Sequence, residues 1–108
     1  MMELLPPELK NQLPKLYEQE KTDDPVVYIK FFFSAGNWTW FVTEGEAEGD
    51  DFMFFGYVVG LEPEWGYFTL KQLEEIDIQG LTVERDLYFK QESFSRCLAR
   101  WKAERGGR

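Results

Sequence analysis

The residues best suited to chemistry in this 108-residue chain are carboxylates. They are densest in Glu44-Gly45-Glu46-Ala47-Glu48-Gly49-Asp50-Asp51, where acids alternate and a glycine stands at the sixth place. Calcium loops set oxygen ligands at alternate positions around such a glycine. Here the twelfth place is Phe55 instead of a bidentate glutamate, and the flanks read as strands, so the pattern does not complete a calcium site. Two readings stay open. The stretch is a solvated acidic connection, or it is a loop whose Glu44, Glu46, Glu48, Asp50 and Asp51 face a basic partner. The second would steer association with a cationic surface and make it sensitive to salt.

A second group comprises Glu62, Glu64, Glu84 and Asp86, with Arg85 between the last two. Paired carboxylates serve acid–base or metal-assisted chemistry, and an arginine beside them binds an anion. Glu64, Glu84, Arg85 and Asp86 are therefore the alternative site, that of an accessory enzyme acting with a metal or on nucleic acid. The same residues equally suit an arginine–carboxylate pair that pins the 84–86 segment to the Pro63–Gly66 turn. Trp65 falls in that turn beside Glu62 and Glu64. An exposed tryptophan there is the best single anchor for a partner.

Other chemistries lack their residues. There is no histidine, which removes the commonest general base, the serine and cysteine nucleophile pairs, and most zinc sites. Cys97 is the lone cysteine, so it forms neither a disulfide nor a redox pair, and it reads as a small core residue. Gly45, Gly49, Gly56 and Gly60 do not compose a phosphate-binding loop. No catalytic residues, metal ligands or cofactor are assigned, and a reducing cytoplasm is the expected setting.

Charge narrows the partner. The net charge is −8, but residues 1–89 hold 18 acids and 6 bases, whereas residues 90–108 hold 2 acids and 6 bases. An acidic body repels phosphate backbones and anionic lipids, so direct nucleic-acid or membrane binding is disfavoured. A basic protein is the expected partner, including one that itself binds nucleic acid. A homodimer closed by aromatic surface, or by the basic tail on a second acidic body, is equally compatible. The apolar runs 28–33 and 52–59 are too short to span a bilayer, and residues 1–10 do not read as a secretory signal.

These residues need elements to position them. Leu9, Leu13, Leu16 and Tyr17 share a helical face after Pro6-Pro7, with Pro14 dividing the segment. Residues 26–34 and 38–44 read as strands of a hairpin turned at Ala35-Gly36-Asn37. Alternation puts Trp38, Trp40, Val42 and Glu44 on one face of the second strand, and Thr39, Phe41 and Thr43 on the other. Residues 45–51 read as a connection and 52–60 as a strand in which Gly56 marks a bulge or a close backbone approach. Residues 61–66 read as a turn. Thr69 and Gln72 form a capping box for a short helix bearing Leu70, Leu73 and Ile76. It ends at Gln79-Gly80. Ser93 caps a last helix whose Phe94, Cys97, Leu98 and Trp101 align, fraying at Gly106-Gly107. The order suits a single α+β domain over residues 1–108, an antiparallel meander with helices packed on one face and a basic helix and tail at 90–108.

Several stretches carry a resemblance. They are residues 13–17, 27–32, 39–44, Phe55-Gly56, 60–68, 70–73 and 83–89. Pro63-Glu64-Trp65-Gly66-Tyr67-Phe68 and Glu84-Arg85-Asp86-Leu87-Tyr88-Phe89 are the most specific of them. Over roughly residues 4–90 the chain resembles a family of short bacterial proteins of unknown function carried by plasmids, integrative elements and phages. The resemblance implies a mobile-element accessory protein in a bacterial cytoplasm. It supplies no activity and transfers no catalytic residue. The expected function is a non-enzymatic interaction module whose acidic surface engages a basic host or element protein, in one version as an inhibitor.

Overall fold

The computed structural model describes residues 2–106. In chain order its elements are α1 (Pro7–Gln12), β1 (Val26–Val27), β2 (Ile29–Phe33), β3 (Trp38–Glu48), β4 (Asp51–Val59), β5 (Pro63–Thr69), α2 (Leu70–Glu74), β6 (Asp77–Ile78), β7 (Leu81–Thr82), β8 (Glu84–Arg85), β9 (Glu92–Ser93) and α3 (Phe94–Gly106). Five strands form an antiparallel sheet in the order β5-β4-β3-β2-β8, and β1-β9 and β6-β7 pair separately. The expected α+β class with a meander, β2 to β5, is what the chain adopts.

Directly paired residues of antiparallel strands share a face. Ile29, Phe31 and Phe33 pair with Val42, Trp40 and Trp38 and define the first face. Phe52, Phe54 and Phe68 continue it, and Leu4, Leu5, Leu13, Leu73 and Val83 cover it. α1 and α2 lie on this side, through the partly buried Leu9 and the buried Leu73. The expectation of helices on one face is met by these two. α3 takes the other side, because Phe41, Tyr57 and Val59 alternate onto the second face and the Phe94, Cys97 and Trp101 stripe seats on them. Phe31, Phe41 and Phe54 are fully buried, and each such ring contributes roughly 1.5–3 kcal/mol relative to exposure. Cys97 is a core residue, and its thiol is pushed up to about 12, chiefly by burial and then by the charge of Glu92.

Local chemistry explains several boundaries. α1 stops at Gln12 because Leu13 precedes Pro14, and it takes the extended conformation that a following proline favours. Thr69 and Gln72 complete the capping box of α2. Asn37 adopts a left-handed φ of 58° in the turn between β2 and β3. Gly56 is a close approach, since a Cβ there would lie 2.0 Å from the Phe41 carbonyl oxygen.

Other boundaries differ from the sequence reading. The supposed 45–51 connection is mostly strand. β3 runs to Glu48, and Gly49-Asp50 alone make the turn, with Gly49 at φ 61°. The supposed 61–66 turn is shorter, since β5 begins at Pro63 and holds Trp65. Gln79 and Gly80, both with positive φ, turn the small β6-β7 hairpin instead of closing α2. Ser93 pairs with Val26 in β9, so the start of α3 is capped from afar. Asp24 Oδ1 accepts the Ser95 N–H at 2.9 Å, and Oδ2 accepts the Ser95 hydroxyl at 2.6 Å. Of the expected fraying segment, Gly106 ends α3 and Gly107 lies outside the described residues.

The largest departure is one residue. The β3–β4 register shifts between Val42 and Glu44, leaving Thr43 as a bulge whose hydroxyl donates to the Phe55 carbonyl at 3.2 Å. A bulge reverses the side-chain alternation beyond it. Glu44 therefore pairs with Phe55 on the second face instead of joining Trp40 and Val42 on the first.

Candidate functional site: an acidic aromatic pocket

The bulge matters because of what lies beside it. β2 pairs with β3 only as far as Ile29–Val42. Beyond that point residues 14–19 occupy the edge of β3. The Gly45 N–H donates to the Pro14 carbonyl at 2.9 Å. The Gln19 side chain acts as a substitute peptide unit. Its Nε2 donates to the Thr43 and Val26 carbonyls at 2.8 and 2.9 Å, and its Oε1 accepts the Val26 N–H at 2.8 Å. Glu44 completes this strap. One carboxylate oxygen accepts the Tyr17 N–H and the other the Gln19 N–H, both at 2.8 Å. Glu46 accepts the Leu16 N–H at 3.2 Å. Tyr17 turns the strap with φ 75°, a conformation costly for a bulky residue.

Between the strap and the second face lies a pocket of about 320 Å³. Its floor is Thr43, Glu44 and Phe55, one wall is Trp65 and Tyr67 of β5, and the other is the strap with Tyr17, Glu20 and Asp23. Phe55 and Trp65 are stacked at 5.8 Å and 15°, and Tyr67 leans on Phe55 at 4.9 Å. Trp65 also touches Phe94 at the start of α3, with ring centroids 4.7 Å apart. The Tyr67 hydroxyl is pushed up to about 12, first by its hydrogen bond with the Tyr17 side chain, then by desolvation and the nearby charges of Tyr17, Glu44 and Glu20. It stays a neutral hydrogen-bonding group at physiological pH. The lining contains three acids and no lysine or arginine. Such a site can hold a cationic, partly apolar group against aromatic faces. Among the described residues, no three acidic or cysteine side chains gather as a metal-holding group.

A model of a family described as protein of unknown function (DUF2958) matches residues 4–107. The chain belongs to this family. No curated protein and no solved structure matches it. The DUF2958 match continues past residue 90, where the resemblance was expected to stop, and takes in α3.

In this DUF2958 chain, the segment Pro63–Phe68 builds β5 and so supplies the Trp65 and Tyr67 wall. The acids of the 44–51 stretch divide. Glu44 is 4% exposed and Glu46 is bonded to the strap. Asp50 is paired with Lys71 at 2.8 Å, which holds its carboxyl below the usual range and raises the ammonium. Desolvation pushes Asp51 up, but the Phe52 and Lys71 N–H donors outweigh it and hold the group below its usual value. Glu48 faces solvent without such a bond in the described residues, as do Glu62 and Glu64. Trp65 is 40% exposed.

The four residues of the alternative site do not converge. Glu64 is on β5 and Glu84 and Arg85 are on β8, at opposite edges of the five-stranded sheet. Four interstrand spacings separate those edges, roughly 19 Å. Arg85 reaches the Glu3 carbonyl at 3.3 Å, and Asp86 pairs with Lys30 at 3.6 Å, so neither pins the 63–66 segment. The sequence reading missed Tyr17, Gln19, Phe55 and Tyr67. Only Tyr67 left a signal, as the alternate-position neighbour of Trp65 on one strand.

Proposed function

We propose that this protein is a non-enzymatic interaction module of a bacterial mobile genetic element, of the plasmid or phage kind. It works in the cytoplasm and engages a basic host or element protein through its second sheet face. The observation that carries this reading is the pocket, lined by four aromatic rings and carrying acids as its only charged side chains. The exposed Glu48, which alternates onto the second face with Glu44 and Glu46, extends the negative field around it, and the −12 balance of residues 1–89 adds to it. In its inhibitory form, this surface stands in for nucleic acid on a host protein that binds nucleic acid.

No helix among the described residues is long and apolar enough to cross a membrane. The basic tail is partly committed within the chain, since Arg100 pairs with Glu92 and Arg105 lies 4.8 Å over Trp101. The competing enzyme reading draws on Glu64, Glu84, Arg85 and Asp86, and their separation leaves it without an assembled site.

The test is affinity capture from the native host at stepped salt, with wild type and a variant in which Glu20, Asp23 and Glu48 are neutralised to Gln or Asn. A basic partner held at low salt and released as salt rises supports the proposal. Binding that ignores salt, or that survives neutralisation, overturns it. A second copy acting as that partner through residues 90–108 would show as concentration-dependent mass in light scattering.

A further inference from the structure

We infer that the pocket is a receptor for one arginine side chain, presented by the basic partner. This rests on the interaction reading above and deepens it by naming the group that is recognised.

Three features of the pocket carry the inference. The first is the charge at its floor. Glu44 is 4% exposed, and among the described residues no ammonium or guanidinium pairs with it. Its charge is met only by the Tyr17 and Gln19 N–H dipoles, one on each oxygen. A carboxylate has about four lone-pair sites, so each oxygen retains accepting capacity. Two oxygens that each accept one further donor match the parallel N–H fork of a guanidinium.

The second feature is the wall. Phe55 and Trp65 are nearly parallel, and Trp65 and Tyr67 stand side by side along β5 with their rings half open to solvent. A planar, weakly hydrated cation stacks on such faces. An ammonium is a strongly hydrated point charge and gives up more hydration to enter. The third is size. At about 320 Å³ the cavity stands at the low end of the roughly 300–1,000 Å³ typical of small-ligand sites. It suits a single side chain, and Glu20 and Asp23 at the rim face whatever basic residues flank it.

The probe is N-acetyl-arginine methylamide, titrated into the full chain and followed by nitrogen-edited NMR. The Trp65 indole N–H and the Tyr17 and Gln19 amides report on the site. Saturable shifts are expected with arginine. The lysine analogue should bind about tenfold more weakly, and the neutral isostere citrulline should give no saturable shift. Glu44→Gln removes the floor charge, but it also loosens the strap. Trp65→Leu, at a half-exposed position, therefore serves as the second variant and should abolish the response with the fold intact.

A failure to saturate before the solubility limit overturns the inference. So does an equal response to citrulline or lysine, or full binding by Trp65→Leu. The two readings fail separately. If a basic partner is captured in a salt-sensitive way by both wild type and Trp65→Leu, the module reading stands and the arginine receptor falls. If arginine saturates the pocket but no salt-sensitive partner exists, the module reading falls and the receptor stands.

Discussion

Glu44→Gln is the most searching single change in this molecule. The side chain keeps its shape and loses its charge. Its amide oxygen can still accept one of the two strap N–H groups, at Tyr17 or Gln19. Its NH2 must then face the other donor, and that N–H loses its partner beside the buried Glu44 position. Hydrogen bonds to charged groups contribute roughly 1.5–3 kcal/mol, and an orphaned buried donor costs roughly 1–3 kcal/mol. The two figures describe one event and are not summed, so the expected loss is about 2–3 kcal/mol. With a urea slope of about 1–2 kcal/mol per molar, the unfolding midpoint should fall by roughly 1–3 M. Urea denaturation followed by tryptophan fluorescence measures the loss. Hydrogen exchange locates it, since the Tyr17 and Gln19 amides should lose protection before the β3–β4 ladder does. Glu48→Gln, on exposed strand, is the control and should stay within about 0.5 kcal/mol. A Glu44→Gln loss below about 0.5 kcal/mol, or unchanged protection at Tyr17 and Gln19, would refute the strap as described.

Three further changes have definite outcomes. Gly56→Ala drives a Cβ into the Phe41 carbonyl oxygen between two central strands, and a loss at the upper end of the roughly 1–3 kcal/mol typical of overpacking is expected in urea unfolding. The raised Tyr67 pKa means that the folded state holds its proton more tightly than the unfolded state does. The stability this contributes is complete below pH 10 and lost as pH rises towards 12, so Tyr67→Phe should flatten the alkaline limb of the stability profile. Asp24 is held below the ordinary aspartate value of 3.8, first by the Ser95 side-chain hydrogen bond and then by the Ser95 N–H. Its contribution is present above 3.8 and lost as pH falls through the depressed value, so Asp24→Asn should show a shallower acid transition by circular dichroism.

What could be read from the sequence was local. The alternation of Ile29, Phe31 and Phe33, the Thr69–Gln72 box and the close approach at Gly56 all depend on neighbours in the chain, and all three are present. What could not be read depends on distant partners. One extra residue at Thr43 moves Glu44 to the other face, and no pattern within 38–48 signals it. Acids that read as a connection are strand because Glu44, Glu46 and Glu48 pair with Phe55, Met53 and Asp51 of β4, and the Tyr17 and Gln19 amides, 27 and 25 residues from Glu44, hold its carboxylate. Ser93 was a sound local cap, but pairing with Val26 took it and left the position to Asp24. Of the site, Trp65 was legible as an aromatic beside acids. Its assignment to a turn failed because β5 begins two residues before it.

The strap also decides what the sheet leaves exposed. Residues 14–19 cover the edge of β3 beyond Val42, held there by the Glu44 that the bulge aims at them. Without them that edge would show unpaired peptide groups, a strand margin that another chain can extend. Gln19, whose side chain bonds to the Thr43 carbonyl, is the seal on that margin. Conversion of its amide to a carboxylate would set an acceptor against the Thr43 and Val26 carbonyl oxygens and reopen that edge.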